Sequence, residues 1–297
     1  MGSTATENEP FVSSEIVILG ICRDVAKDLI PTLTNLLKAF AAFKRIHIRV
    51  VESDSSDDTV QVLREFKNSY LHFDFESLGK LELDIPDRWE RIAFCRNRAA
   101  EILNADPRLQ SCQWIVVADL DGVNSELNSR AVASCWVRAD WDVCTANQSA
   151  PYYDVFALRH PTWSPDDCWR HEESLLSQGF NPVHAREEAV YRRQKFIPRN
   201  APWIAVDSAF GGLAIYKKDY FILGEYRGHG ADGFRTCEHV PFHEDLKTAG
   251  ARIFINPALI NSGWNEHNSQ HLPINRFKRR LKLVLISFGL AKIFGLD

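Results

Sequence analysis

Two aspartates one residue apart, Asp119 and Asp121, come directly after the run WIVVA from Trp114 to Ala118. That run is apolar and β-branched, as a strand covered on both faces would be. Residues two apart leave a strand on the same side, so both carboxylates can converge at its carboxyl end. Open α/β sheets bind their ligands at that edge. Two acids against an apolar wall are costly unless a positive group neutralises them. A hard divalent cation that also binds phosphate oxygens would do so. The alternative is an Asx-type turn, in which either aspartate merely caps the next helix.

Other segments carry compatible groups. The stretch ESDSSDDT, Glu52 to Thr59, also leaves a strand and opens a helix, so its serines and aspartates can cap that helix while facing a ligand. The segment from Trp89 to Leu103 holds Arg91, Arg96, Asn97 and Arg98. Guanidinium groups meet diphosphates well, although at least one of these arginines should belong to a solvated helix face. Two clusters of acids and histidines, Glu238-His239 and His243-Glu244-Asp245, fall in a loop running into a helix that ends at Gly250. There Glu244 and Asp245 could equally be first-turn acids favouring the helix dipole. Gly211-Gly212 would allow close backbone approach. Tyr152, Tyr153, Trp163, Trp169 and Trp203 could stack on sugar rings or simply pack.

Positioning these groups takes alternating strands and helices. The patterns predict strands over Glu15–Cys22, Ile46–Glu52, Trp114–Ala118, Asp142–Ala146, Ala209–Lys217 and Arg252–Ile255. Helical spacing is expected over Asp28–Phe40, Val60–Phe66, Trp89–Leu103 and Ser125–Trp136, with Pro31 tolerated in a first turn. This is the rhythm of a parallel sheet covered by helices, an α/β fold. Residues 151–203 lose the periodicity and read as a long irregular insertion of the kind that closes over a site. There is no internal repeat and no clean linker.

Composition bounds the function. The 297 residues carry 35 Lys plus Arg against 39 Asp plus Glu, with 45% hydrophobic and 25% charged residues. Disordered, collagenous and low-complexity architectures are excluded. Seven cysteines without paired spacing read as reduced thiols of a cytoplasmic protein. No apolar run is long enough to span a membrane. The polar first fourteen residues are expected to be disordered and do not read as a secretory signal. Basic residues concentrate near the end, in Arg276, Lys278, Arg279, Arg280, Lys282 and Lys292, which leaves an acidic body. That distribution argues against nucleic acid as a partner and for an anionic surface met by one end of the chain. In residues 274–294, Ile274, Phe277, Leu281, Leu285 and Phe288 share one helical face, so 271–297 is expected to be a basic amphipathic helix lying on a membrane.

The order of motifs resembles GT-A-fold glycosyltransferases. It comprises a strand, ESDSSDDT, a helix with RxxxxRNR, a buried strand ending in DLD, then FGGLAIYK and CEHVPFHEDL. More narrowly, the chain is similar to the fungal capsule-associated α-1,3-mannosyltransferase family and its bacterial relatives, over roughly residues 15–262. It departs from their usual pattern at Asp54, where Gly is commoner, and at Gly122 after the DLD.

The resemblance implies a GT-A (Rossmann-like) mixed, mostly parallel sheet flanked by helices within a domain of residues 15–270, the 151–203 insertion lying on the acceptor side. It implies Mn²⁺ or Mg²⁺ at Asp119 and Asp121, with His267 or His239 as a further ligand. Glu52, Ser53 and Asp54 would face the base and ribose; Arg91, Arg96 and Asn97, with Asp119 and Gly212, would lie near the phosphates or sugar. Glu238, or else Asp245, would be the catalytic carboxylate. The implied activity is sugar transfer from a nucleotide-diphosphate donor to a glycan acceptor, expected to be lipid-linked at the inner face of the membrane, for cell-surface polysaccharide or glycolipid synthesis. The alternatives are a nucleotidyltransferase acting on sugar phosphates and a non-catalytic carbohydrate-binding protein of the same fold.

Overall fold

Strand β1 (Glu15–Cys22) alternates its side chains between two apolar layers. Ile16 and Ile18 join a core containing Leu29, Leu33 and Leu36 of helix α1 (Ala26–Ala39). Val17 and Leu19 point the other way, into a core shared with Ala93, Ala99 and Leu103. A strand with both faces covered must be apolar throughout, which is why this segment lacks the polar alternation of a half-exposed strand. In this computed structural model, which describes residues 12–287, the same logic repeats along the chain.

After α1 come β2 (Arg45–Glu52), α2 (Thr59–Ser69), β3 (Phe73–Ser77), α3 (Arg88–Ala105), β4 (Cys112–Ala118), α4 (Ser129–Ala133) and β5 (Val143–Gln148). They are followed by α5 (Cys168–Ser177), α6 (Pro182–Arg186), β6 (Ile204–Val206), β7 (Leu213–Lys217), α7 (Lys218–Phe221), α8 (His239–Thr248), β8 (Ile253–Ser262) and α9 (Pro273–Ser287). One eight-stranded sheet results, in the order β3-β2-β1-β4-β7-β5-β8-β6. β1 pairs in parallel with both β2 and β4, β7 runs antiparallel between β4 and β5, and β6 is antiparallel to β8. The architecture is therefore the expected α/β, Rossmann-like, mixed and mostly parallel sheet flanked by helices. Strand order turns back between β1 and β4, so the loops leaving those two strands diverge and open a crevice.

Two polar devices fix this edge. Asp57 accepts from the Ala26 amide at 3.1 Å and from the Thr59 amide at 2.9 Å, serving the first turns of α1 and α2 together. Asp24, in the left-handed region at φ 52°, accepts from the Ser56 amide at 2.7 Å. The loops after β1 and β2 are thus sewn together. At the opposite end Asp142 accepts from the Arg252 amide and Nε, each at 2.9 Å, and from Lys217 Nζ at 2.9 Å. One buried carboxylate there registers β5, β7 and β8.

Several boundaries differ from the sequence reading. The insertion contains α5 and α6, capped by Asp167 and Asn181, so it is less irregular than its composition suggests. β3 and β6 were not anticipated, because one carries alternating polar residues and the other has only three. The expected strand from Ala209 begins at Leu213, and the helix expected over Ser125–Trp136 shrinks to α4 and one 3₁₀ turn. At the amino end Ser14 is buried, its hydroxyl donating to Gln113 Oε1 at 2.5 Å. The disorder expected over 1–14 otherwise falls on residues 1–11, outside those described. All seven cysteines are buried and none forms a disulfide.

Candidate active site

A cleft of about 200 Å³ opens at the turning point of the sheet. Ile21, Cys22 and Arg23 from the end of β1, Ser53 and Asp54 after β2, and Asp119 and Asp121 after β4 line it, with Arg88, Arg91 and Cys95 of α3 opposite. Both aspartates of the acidic pair thus follow the end of β4 and line the cleft. Asp119 keeps 31% of its side chain exposed, while Oδ1 accepts from Arg96 Nη2 at 3.1 Å. Crowding by protein pushes its pKa up to about 7; Arg96 opposes the rise, and the neighbouring Asp121 and Glu238 add to it. Asp121 is exposed, and its Oδ1 accepts from the Val123 amide at 3.3 Å. It closes an Asx-type turn and still faces the cleft. Gly122, at φ 91°, makes that sharp turn without the Cβ clash another residue would meet.

Behind Asp119 lies a buried charged centre. Arg96 is 6% exposed and donates through Nε to Glu238 Oε1 at 2.6 Å, so one guanidinium joins α3 to Asp119 and to the residue that precedes α8. Burial works against its charge, but Glu238 and Asp119 outweigh that and keep it protonated. The ring of Phe210 lies 5.1 Å from the guanidinium carbon. Asp154 was absent from the sequence reading. It accepts from the Gly211 amide at 2.8 Å, and burial raises its pKa, with Glu238 contributing. It follows β5 in a segment without periodicity, which is why no pattern pointed to it.

The turn before β7 is held from several sides. Asn261 Nδ2 donates to the Gly211 carbonyl at 2.7 Å, and Asn124 Nδ2 to the Gly212 carbonyl at 3.0 Å. The Asp119 amide also donates to Gly212 at 3.0 Å. A Cβ on Gly212, whose φ is 84°, would stand 2.8 Å from the Tyr153 hydroxyl and from Val123 Cγ1. Glycine is required by conformation and by space alike.

The remaining expected residues divide. Ser53 and Asp54 line the cleft; Asp54 has φ 62° and accepts from the Glu82 amide at 2.8 Å, so it occupies the left-handed conformation that glycine usually fills. Glu52 sits behind the loop, 1% exposed, with its carboxylate taken by the Ser55 amide and the Ser77 hydroxyl. Arg91 lines the cleft, but its Nη1 donates to the carbonyls of Ile85 and Pro86. Asn97 faces away, exchanging two hydrogen bonds with the Tyr226 backbone. Asp245 does not join the centre: Arg227 grips both of its oxygens at 2.8 and 2.9 Å on another side of α8.

Neither histidine is gathered with the aspartates. His239 is 1% exposed and stacked 3.8 Å from the Phe210 ring, and burial with Arg96 nearby holds it neutral. His267 is half-exposed and stacks on Tyr153 at 5.3 Å. Among the described residues no group of three His, Cys, Asp or Glu side chains stands close enough to hold a metal ion. Two convergent carboxylates, one turned partly to solvent, nevertheless fit a hard cation that completes its shell with water and phosphate oxygens. The added histidine ligand does not fit at His239.

No family model matches the chain, and no curated protein matches it. Solved structures with a similar course do exist. The chain is similar to the mannosyltransferase PcManGT from Pyrobaculum calidifontis in complex with GDP-Man and Mn²⁺, at 14% identity and a TM-score of 0.48, over 94% of this chain and 64% of that one. It is also similar to S. aureus TarS 1-349, at 12% identity and a TM-score of 0.47, over 92% of this chain and 64% of that one. The chain thus spans less than two thirds of the length of either.

Proposed function

We propose that the chain is a GT-A-type glycosyltransferase that moves a sugar from a nucleoside-diphosphate donor held with a divalent cation at Asp119 and Asp121. One observation carries this reading: carboxylates on one wall of the crevice face arginines on the other, at the point where the strand order turns back. A diphosphate suits that division, with Arg88 and Arg91 on one side of it and the cation on the other. Bound Mn²⁺ or Mg²⁺ would supply Lewis-acid stabilisation of the departing nucleoside diphosphate.

The chain's own residues do the rest. Arg96, fixed by Glu238, orients Asp119 and favours its charged form. Gly212 lets the turn before β7 pack against Tyr153 and Val123, which fixes the backbone that receives the Asp119 amide. Transfer passes through an oxocarbenium-like centre that needs a carboxylate near it. Glu238 is the carboxylate we assign first, with Asp154 beside it; Asp245, paired with Arg227, is not. Mannose as the donor sugar rests on the family resemblance, and the donor screen tests it.

On the acceptor side, helix α9 supports a glycan carried on a lipid, whereas Tyr152, Trp163, Trp169 and Trp203 are taken up by packing against the protein. Ile274, Phe277, Leu281 and Val284 form an exposed apolar stripe on α9. Arg276 and Arg280 flank it on one side, Lys278 and Lys282 on the other, which is the arrangement of a helix lying in an anionic membrane interface. That stripe supports attachment to an anionic membrane surface; the inner face follows from the implied lipid-linked acceptor. The part of the face expected at Phe288, and Lys292 beyond it, lie outside the described residues. No helix among the described residues is long and apolar enough to cross a membrane.

The test is donor turnover with GDP-, UDP-, CDP- and dTDP-sugars, with and without Mn²⁺, in wild type and Asp121→Ala. Metal-dependent release of nucleoside diphosphate, lost in the variant, is the expected result. Release of pyrophosphate when a nucleoside triphosphate and a sugar 1-phosphate are supplied instead would mean a nucleotidyltransferase, and neither turnover nor nucleotide binding would leave a carbohydrate-binding protein.

A further inference from the structure

A second cavity, of about 740 Å³, lies between α9, the segment after α6 and the loop after β8. Its polar lining is basic: Arg192, Arg276, Arg279 and Arg280 against Glu187. Arg279 is already committed, since its Nε pairs with Glu187 at 2.7 Å and its Nη1 donates to the Gln270 carbonyl at 2.8 Å. Arg192 pairs with Glu188 on the surface. Arg276 and Arg280 are exposed at the rim, one turn apart on α9, with no carboxylate partner among the described residues. The apolar lining includes Leu283 and Tyr191, with Phe196 and Trp264 exposed at 59% and 52%.

The cavity is tied to the candidate active site by one side chain. Gln194 Nε2 donates to the carbonyls of Tyr153 at 3.2 Å and His267 at 3.1 Å, the two residues whose rings stack beside Gly212. Its Oε1 accepts from His271 Nε2 at 2.9 Å. Ser149 and Pro151, just before Tyr153, form part of the cavity wall. A molecule seated here is therefore within a few residues of Tyr153, in a cavity that shares no lining residue with the cleft at Asp119 and Asp121.

We infer that this cavity binds the phosphate of an amphiphilic lipid, Arg276 and Arg280 holding the phosphate while Phe196 and Trp264 lie along the first carbons of its chain. The inference rests on the transferase reading and deepens it: the acceptor would be recognised through a lipid phosphate before its glycan is reached. Guanidinium groups pair with phosphate oxygens in two-point contacts that a lysine cannot reproduce. The apolar stripe of α9 runs beside the rim, so the lipid chain can remain in the bilayer while the phosphate enters the cavity.

The test uses the full chain and phosphatidylcholine vesicles doped with phosphatidic acid, which exposes a phosphomonoester, or with phosphatidylglycerol at matched surface potential. Wild type should partition more strongly onto the phosphatidic acid vesicles. Arg276→Ala/Arg280→Ala should remove that preference and weaken partitioning onto phosphatidic acid by roughly thirtyfold. Lys278→Ala/Lys282→Ala, which removes the same charge from the other flank of α9, should weaken binding to both vesicles and keep the preference. Equal losses from the two pairs, or no preference in wild type, would overturn the proposal in favour of a general field of the helix. Tight binding of inorganic phosphate alone would also overturn it, since the site would then serve a free anion. Partitioning needs no donor turnover, so Asp121→Ala should behave as wild type here, and failure of the lipid site is distinguishable from failure of the transferase reading.

Discussion

Arg96 is the residue on which the charged centre turns, because it is the guanidinium that touches both Asp119 and Glu238. Replacing Glu238 by Gln keeps the shape and removes the charge that anchors Arg96. Turnover should fall roughly a hundredfold or more, whereas Asp245→Asn, which breaks a partly exposed pair with Arg227, should leave turnover unchanged and cost about 1 kcal/mol of stability. Steady-state kinetics and urea melts on the two variants read this contrast, and equal kinetic losses would reinstate Asp245. At this scale the sequence was legible where a residue's place is set by a strand end, as at Asp119 and Asp121, or by a left-handed turn, as at Asp54. It was misleading where a polar residue has a structural partner remote in sequence: Asn97 is occupied by Tyr226, and Glu52 by Ser77. Asp154, Asn124 and Asn261 were illegible because the backbone groups they bind, at Gly211 and Gly212, are remote in sequence.

Among the elements, the joined loops after β1 and β2 shape one wall of the cleft. Asp57→Ala removes acceptors from the first turns of both α1 and α2 and should cost about 2 kcal/mol, near 1 for each lost cap. Nucleotide affinity should drop with it, because Ser53 and Asp54 lie in the same loop; calorimetry would show whether the two losses travel together. The clasp at Asp142 has a pH signature. Its hydrogen bonds with Arg252 and Lys217 outweigh burial and hold its pKa below the ordinary 3.8. A depressed carboxyl stabilises the fold above the unfolded value and loses that contribution as pH falls below about 4. Asp142→Asn should therefore be less stable than wild type by about 2 kcal/mol near pH 7, with the gap closing in acid. Strands such as β1 and β4 were readable because burial on both faces forces apolar composition. β3, polar at alternate positions, and helices α5 and α6, which depend on caps more than on periodicity, were not.

For the whole molecule, the sheet places the cleft where its strand order turns back, and α9 is docked through Arg279 while its apolar stripe stays exposed. Phe277→Ser/Leu281→Ser should release the protein from anionic vesicles in flotation assays without altering donor hydrolysis in solution. Retained flotation would remove α9 from the membrane account. Seven shielded sulfurs spread over the fold have a further use. A thiolate reacts only when it reaches solvent, so iodoacetamide should modify each cysteine at the rate at which its own neighbourhood opens. Cys22 and Cys95 border the cleft proposed to hold the donor, whereas Cys168 lies in α5. Peptide mass spectrometry of alkylation should then show donor slowing the first two and sparing the third, giving an occupancy gauge native to the chain and free of any introduced label.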